Sequence, residues 1–367
     1  MSIELWTSRD LMELRQDLRL DPVPDYFWRT FFATDFYSED REILIGDLPK
    51  PYRKLAPFVM PTSQGKPIFE RRGEKVSAMT PPYIKLKDAV RVTESRNVLP
   101  SQIWRNGPGL PTLQERFDGR VADVQAFHLR AINMQKAWMA ARAIIDGQVT
   151  IQYAADQGQA YPEVTISYGR AANHTIALSG TFWSDPNYNI IADLTTWSQR
   201  MCESEYGVRP TDVIVGSSVA PFIQNNVGIR ELLTTQRRGG EGTNMQLGLM
   251  ALPQAGDNGP VLLATIGGIG MSLNIWTYKD VVEAPNGSMV DILHPKDVFM
   301  FGPGASGVMA HGAIYDVDVF EGGNISTDVF SKMFKDNDPG DMYVMNQSSP
   351  LPIVTYPNRT LKARVLA

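Results

Sequence analysis

Cysteine is almost missing: Cys202 stands alone in 367 residues, so neither an intrachain disulfide framework nor a cysteine metal cluster can form. That suits a reducing cytosol, or a setting where thiol chemistry does not matter. Histidine is nearly as scarce, and the 4 present, His128, His174, His294 and His311, never pair at ligand spacing or in a His-Glu-x-x-His motif. No apolar run approaches the roughly 18 residues of a membrane span. Residues 1–20 mix charged and apolar groups without the apolar core of a signal peptide. Basic runs are absent too, and the net charge of −5 argues against a sequence-specific reader of DNA or RNA. Neither an internal repeat nor a low-complexity tract occurs.

What is present is a 43% hydrophobic chain, long enough for two or three domains, with 25 Pro and 30 Gly to make many turns. Its organising stretch is 113–146. Leu113, Phe117, Val121, Val124, Ala131, Met134, Trp138, Ala141 and Ile145 recur at helical steps. Arg116, Asp118, Arg120, Asp123, Arg130, Lys136 and Arg142 supply the expected wet side. Thr112 and Glu115 have the spacing of a capping box, with Pro111 before them and Gly147 at the far end. At about 1.5 Å per residue such a helix spans about 50 Å, a beam on which other parts hang.

Upstream, Ser8 can cap a short helix that Asp21-Pro22-Val23-Pro24 breaks. Tyr26, Phe27, Trp28, Phe31, Phe32, Phe36 and Tyr37 follow, too many aromatics to stay wet and too few residues to bury them. They form either a local core patch or an arm that docks on a neighbouring subunit. Residues 55–97 read as a long two-stranded excursion with a charged tip, Glu70, Arg71, Arg72, Glu74 and Lys75 around Gly73, and a return through Ile84–Leu86 and Val90–Val92. An isolated hairpin is marginal in water, so it needs support from elsewhere. Beyond the helix, 149–153 and 163–168 alternate as a hairpin, and 176–319 takes on an α/β texture. There a helix over 190–206 precedes strands at 213–215, 262–266, 273–278 and 298–301, with Asn286-Gly287 as a hairpin turn.

The search for chemistry finds no catalytic set. Ser217-Ser218 lacks the Gly-x-Ser-x-Gly elbow. Gly302-Pro303-Gly304-Ala305-Ser306-Gly307 has dinucleotide spacing, but Val308 to Asp318 reads on as a strand where a helix N-terminus is needed, and Pro303 removes a donor. Arg237 and Arg238 form a basic loop without a P-loop ending. An enzyme on the α/β region would need pKa-shifted carboxylates, for which Asp193, Asp212 and Asp291 are the candidates.

A helix like a beam, joined to an arm, a long β-loop and terminal strands, suggests a building block. Its motifs resemble those of the major capsid proteins of lambda-type tailed bacteriophages. The likeness rests on Pro61-Thr-Ser-Gln-Gly65-Lys-Pro-Ile68, Arg72-Gly73, Thr80-Pro-Pro-Tyr83-Ile-Lys85-Leu-Lys87 and Val164-Thr-Ile-Ser-Tyr-Gly169-Arg170. It continues in Thr235-Gln-Arg-Arg-Gly239, Asn286-Gly287, Tyr315-Asp316 and Ser349-Pro-Leu-Pro-Ile353, collinear over essentially the whole chain. The resemblance implies an α+β chain with the Hong Kong 97-type capsid fold. Its parts would be an N-arm (1–54), an extended loop (55–100), a spine helix with peripheral domain (101–175), an axial domain (176–319) and a peripheral return with C-terminal strands (320–367).

It further implies a structural protein, with no catalytic residue, cofactor or metal, that assembles with itself into pentamers and hexamers around double-stranded DNA. The place would be the virion, after assembly in the host cytoplasm. The arm starts at Met1 without a long coiled-coil run, so a separate scaffolding protein is expected, alongside a portal. Such shells often add a small cement protein at three-fold positions. Intersubunit contacts are expected at Tyr26, Phe27, Trp28, Phe31, Phe32, Glu70, Arg71, Arg72, Glu74, Lys75, Arg237 and Arg238. The alternatives are an encapsulin-like cellular compartment of the same fold and a metal-independent enzyme.

Overall fold

The computed structural model describes residues 6–18, 20, 22–46, 76–91, 112–153, 162–230, 245–247, 259–267, 272–321, 327–336 and 341–367. Its axis is the helix Leu113–Asp146. Thr112 Oγ1 accepts from the Glu115 amide at 3.2 Å, and the Glu115 carboxylate accepts from the Thr112 amide at 2.7 Å, so two orphan donors are satisfied reciprocally. At the other end Gly147 turns the chain at φ +69°, and a Cβ there would meet the Arg170 guanidinium at 2.9 Å. That guanidinium donates to the Ile145 carbonyl at 2.6 Å and the Asp146 carbonyl at 2.8 Å, placing a cation where the helix dipole is negative.

One flank of the helix carries a seven-stranded sheet in the order Thr175–Ala177, Thr360–Arg364, Asp297–Phe301, Asp212–Gly216, Ser272–Tyr278, Val261–Gly267 and Met245–Leu247. Asp212–Gly216 runs parallel to Ser272–Tyr278 and antiparallel to Asp297–Phe301. The period of two divides its side chains: Val213 and Val215 join a cluster with the helix Ile190–Glu203, while Ile214 and Phe299 face the spine helix cluster. Trp183 and Trp197 stack at 5.7 Å at the centre of the first cluster.

The N-terminal half of the spine leans on a second, antiparallel sheet of Phe330–Lys335, Met342–Ser348 and Ile84–Val90. Phe117 and Val121 pack there with Val90 and Val344, and Leu129 and Ile132 with Ile84, Leu86 and Val329. A third sheet sets Thr34–Tyr37 parallel to Gly307–His311, which pairs antiparallel with Pro350–Val354. Gln148–Ile151 with Val164–Ser167, and Val281–Glu283 with Met289–Asp291, are hairpins, the second turned by Gly287 at φ +79°. Ile43–Gly46 pairs with Val76–Met79 as a separate ribbon.

Several expectations change. The first helix is capped by Thr7 with Asp10 rather than by Ser8, because Thr7 holds the extended backbone that a cap requires. The return strand Ile84–Val90 pairs with Met342–Ser348 and so gains the support that a free hairpin lacks. The closing strand Thr360–Arg364 enters the seven-stranded sheet between Thr175–Ala177 and Asp297–Phe301, tying the chain end to the α/β region. The strand after Gly302–Gly307 stops at His311, and a short helix, Val317–Glu321, follows in place of further strand. The strands anticipated at 58–60 and 67–69 lie outside the described residues.

Candidate functional site

The aromatic cluster is the first test of the expected contact residues. Phe27, Trp28 and Phe31 ride on the helix Tyr26–Phe31, and Phe32 follows it. All four are at least 93% buried inside this chain. Phe27 meets Phe299 at 6.0 Å and Tyr278 at 5.2 Å, both edge to face, and Phe31 meets Phe301 at 5.0 Å. Tyr26, half-buried, tilts over Tyr278 at 5.8 Å. The apolar surface of Phe27, Trp28, Phe31 and Phe32 is taken up by the spine helix and the seven-stranded sheet of the same chain, which leaves Tyr26 the most open of the five expected contact residues. Two aromatics of the same run stay open, Phe36 at 51% and Tyr37 at 46% exposure. Glu70, Arg71, Arg72, Glu74, Lys75, Arg237 and Arg238 lie outside the described residues.

The spine holds a buried polar seam that its periodicity did not announce. Gln125 donates to Ser331 Oγ at 2.8 Å and accepts from Asn346 at 3.0 Å, and Asn346 also lies 2.9 Å from His128 Nδ1. His128 Nε2 reaches out to Asp88 at 2.7 Å. Gln125, His128, Ser331 and Asn346 are buried, and together they satisfy one another between helix and sheet. Such a network fixes register, since a helix slipped by one residue would leave several of these groups unpaired.

About two turns beyond His128, Lys136 is fully buried where the sequence placed it on the wet side. Its ammonium pairs with Asp328 and lies 5.7 Å from the Trp28 ring. Asp328 also takes Arg15 from the helix Ser8–Asp17 at 2.7 Å. His311 stands beside them, Nδ1 3.5 Å from Asp328 Oδ1 without a well-directed hydrogen bond, and Nε2 3.3 Å from Asp35. Tyr37 stacks on the imidazole at 5.0 Å. Burial works against the Asp328 carboxylate, but Lys136, His311 and Arg15 outweigh it and hold the group below the usual carboxylate range. Burial also keeps His311 below its ordinary value of 6.5, with Lys136 adding to the effect and Asp328 and Asp35 opposing it. Val121, Gln125, His128, Ile132 and Lys136 follow one another at helical steps, the one signal from which this seam was readable.

Gly302–Gly307 is a turn, with Gly304 at φ +72° and Arg359 donating to the Pro303 and Gly304 carbonyls at 3.3 and 3.1 Å. Asp193 accepts from Trp183 Nε1 and Tyr188 Oη, each at 2.9 Å, and Asp212 accepts from Trp276 Nε1 at 3.0 Å. Asp291 sits at the base of a hairpin opposite Val281. Among the described residues no group of three or more His, Cys, Asp or Glu could hold a metal ion, and no helix is long and apolar enough to cross a membrane.

The chain is similar to known proteins over nearly its whole length. The model of the family described as phage major capsid protein E matches residues 7–365. The major capsid protein of Escherichia phage N15 is 22% identical over 382 residues, covering 99% of this chain and 100% of that one. Among solved structures, one described as a prophage capsid protein from E. coli CFT073 superposes with a TM-score of 0.65 at 18% identity, over 99% of this chain and 100% of that chain. A phage-related protein from Bordetella bronchiseptica RB50 has a TM-score of 0.49 at 13% identity, over 98% of each chain.

Proposed function

We propose, from a chain that belongs to the phage major capsid protein E family, that its copies gather into pentamers and hexamers closing an icosahedral head around double-stranded DNA. Membership and the Hong Kong 97-type fold make the protein a shell-forming structural component of a phage capsid. Copy number per capsomer, the contents and the accessory partners are our reading. The observation that carries it is the match to residues 7–365, which takes in every part of the chain from arm to closing strand.

On this reading the charged tip Glu70, Arg71, Arg72, Glu74 and Lys75 meets an adjacent copy, while the return strand Ile84–Val90 stays with its own chain. Arg237 and Arg238 meet other copies near the five- and six-fold axes. Each exposed ion pair contributes about 0–1 kcal/mol, so closure depends on many linked contacts acting together. A net charge of −5 suits a container that holds DNA without gripping a sequence. Assembly takes place in the host bacterial cytoplasm with a separate scaffolding protein and a portal, a cement protein being an optional addition.

The test is electron cryomicroscopy of particles formed when the chain is produced with its neighbouring reading frames, together with the nuclease-resistant DNA content of particles from infected cells. Five- and six-fold capsomers and protected DNA are expected. Particles filled with a cargo protein and free of DNA would contradict the reading in favour of a cellular compartment.

A further inference from the structure

The buried cluster around Lys136 joins segments far apart in sequence. Arg15, Trp28, Asp35 and Tyr37 come from the N-terminal segment, Lys136 from the spine helix, His311 from the strand Gly307–His311 and Asp328 from the turn before Phe330. With His311 neutral, Lys136 and Arg15 balance Asp328 and Asp35. Lys136 and His311 are at most 1% exposed, so water does little to screen any change in that balance. A proton on His311 would put a second buried cation against Asp328, already occupied by Lys136 and Arg15, and would leave only the half-exposed Asp35 to compensate. The cost falls on the contacts that hold Asp35, Tyr37 and Arg15 in place, because Thr34–Tyr37 is the edge strand of its three-stranded sheet and the helix Ser8–Asp17 belongs to no sheet.

We propose that Lys136, Asp328, His311, Asp35 and Arg15 form an acid-released latch, in which protonation of His311 loosens the helix Ser8–Asp17 and the strand Thr34–Tyr37 while the aromatic helix Tyr26–Phe31 between them stays packed. The groups facing His311 are Asp35 and Tyr37 from the N-terminal strand, Lys136 from the spine and Asp328 with its partner Arg15. Its proton affinity is lowered when docked, so the undocked form binds the proton more readily. Docking is therefore intact above the ordinary histidine value of 6.5 and weakens as pH falls below it, until the docked form titrates as well. One proton of linkage allows up to about a tenfold loss of docking for each pH unit in that window. This inference concerns the protomer, and it holds or fails independently of shell geometry.

The experiment is amide hydrogen exchange on the full chain between about pH 7.5 and about pH 5, corrected for intrinsic exchange rates, a range that brackets the histidine value. Protection of 8–17 and 34–37 should fall about tenfold or more relative to 212–216 and 297–301. His311→Gln, which keeps the ring's bulk and polarity in part but cannot gain the proton, should abolish that relative loss. Lys136→Met removes the competing cation, lets Asp328 pair with a protonated His311, brings the docked proton affinity closer to the undocked one and should shrink the loss. An equal fall in both regions of the wild-type chain overturns the latch, whether or not either variant folds. So does an undiminished loss in a folded His311→Gln chain.

Discussion

Between the helix Ile190–Glu203 and the seven-stranded sheet, the cluster around Trp183, Trp197, Val213 and Ile275 is built of apolar side chains. Against the spine's other flank, Gln125, His128, Lys136, Ser331 and Asn346 are buried in equal measure. Both regions are dry, but they are specified differently. Hydrocarbon burial is non-directional and tolerates small shifts, so it supplies stability. A buried polar network is neutral at best unless every partner is in place, so it supplies register and a means of changing state. The difference teaches that the apolar layer around the seven-stranded sheet is held by hydrocarbon burial, the closing strand Thr360–Arg364 included, while the spine layer depends on directional pairing with segments drawn in from the N-terminal arm and the chain's last third.

Substitutions sharpen that contrast. Trp183→Ala removes a side chain 1% exposed that stacks on Trp197 and bonds Asp193, and should cost about 3–5 kcal/mol in urea unfolding. Asp328→Ala strips the partner from a buried Lys136 and should cost about 3 kcal/mol. Lys136→Met, which removes charge and keeps length, should be close to neutral or stabilising at neutral pH. Were Lys136→Met as costly as Asp328→Ala, the spine layer would be held by its charges and the contrast would fail. Asn346→Ala leaves Gln125 and His128 short of partners and should cost about 1–3 kcal/mol, read as accelerated exchange in 113–132 before any change in 212–216. Smallest is Thr112→Ala, which opens the capping box for about 1 kcal/mol and frays only the start of the spine.

What the sequence discloses follows the range of the forces involved. The spine's bounds were legible because Thr112, Glu115 and Gly147 act within a few residues of themselves. The strands at Asp212–Gly216, Val261–Gly267, Ser272–Tyr278 and Asp297–Phe301 were legible from apolar runs. Pairing was not. Nothing near Thr360 says that its strand will lie between Thr175–Ala177 and Asp297–Phe301, since register is decided by partners far away in the chain. The aromatic cluster was recognisable as needing cover, while the identity of that cover depended on Tyr278, Phe299 and Phe301, well over two hundred residues on. Lys136 was misplaced because charge outweighs position in a periodicity count, and its partner Asp328 is 192 residues distant.

Self-assembly is the claim on which the rest depends, and sedimentation velocity of the purified full-length chain, made alone and with its neighbouring reading frames, tests it most directly. The account predicts closed particles together with pentamer- and hexamer-sized species, seen as rounded shells in negative stain. A stable monomer or dimer under every condition, with no larger species, would contradict it.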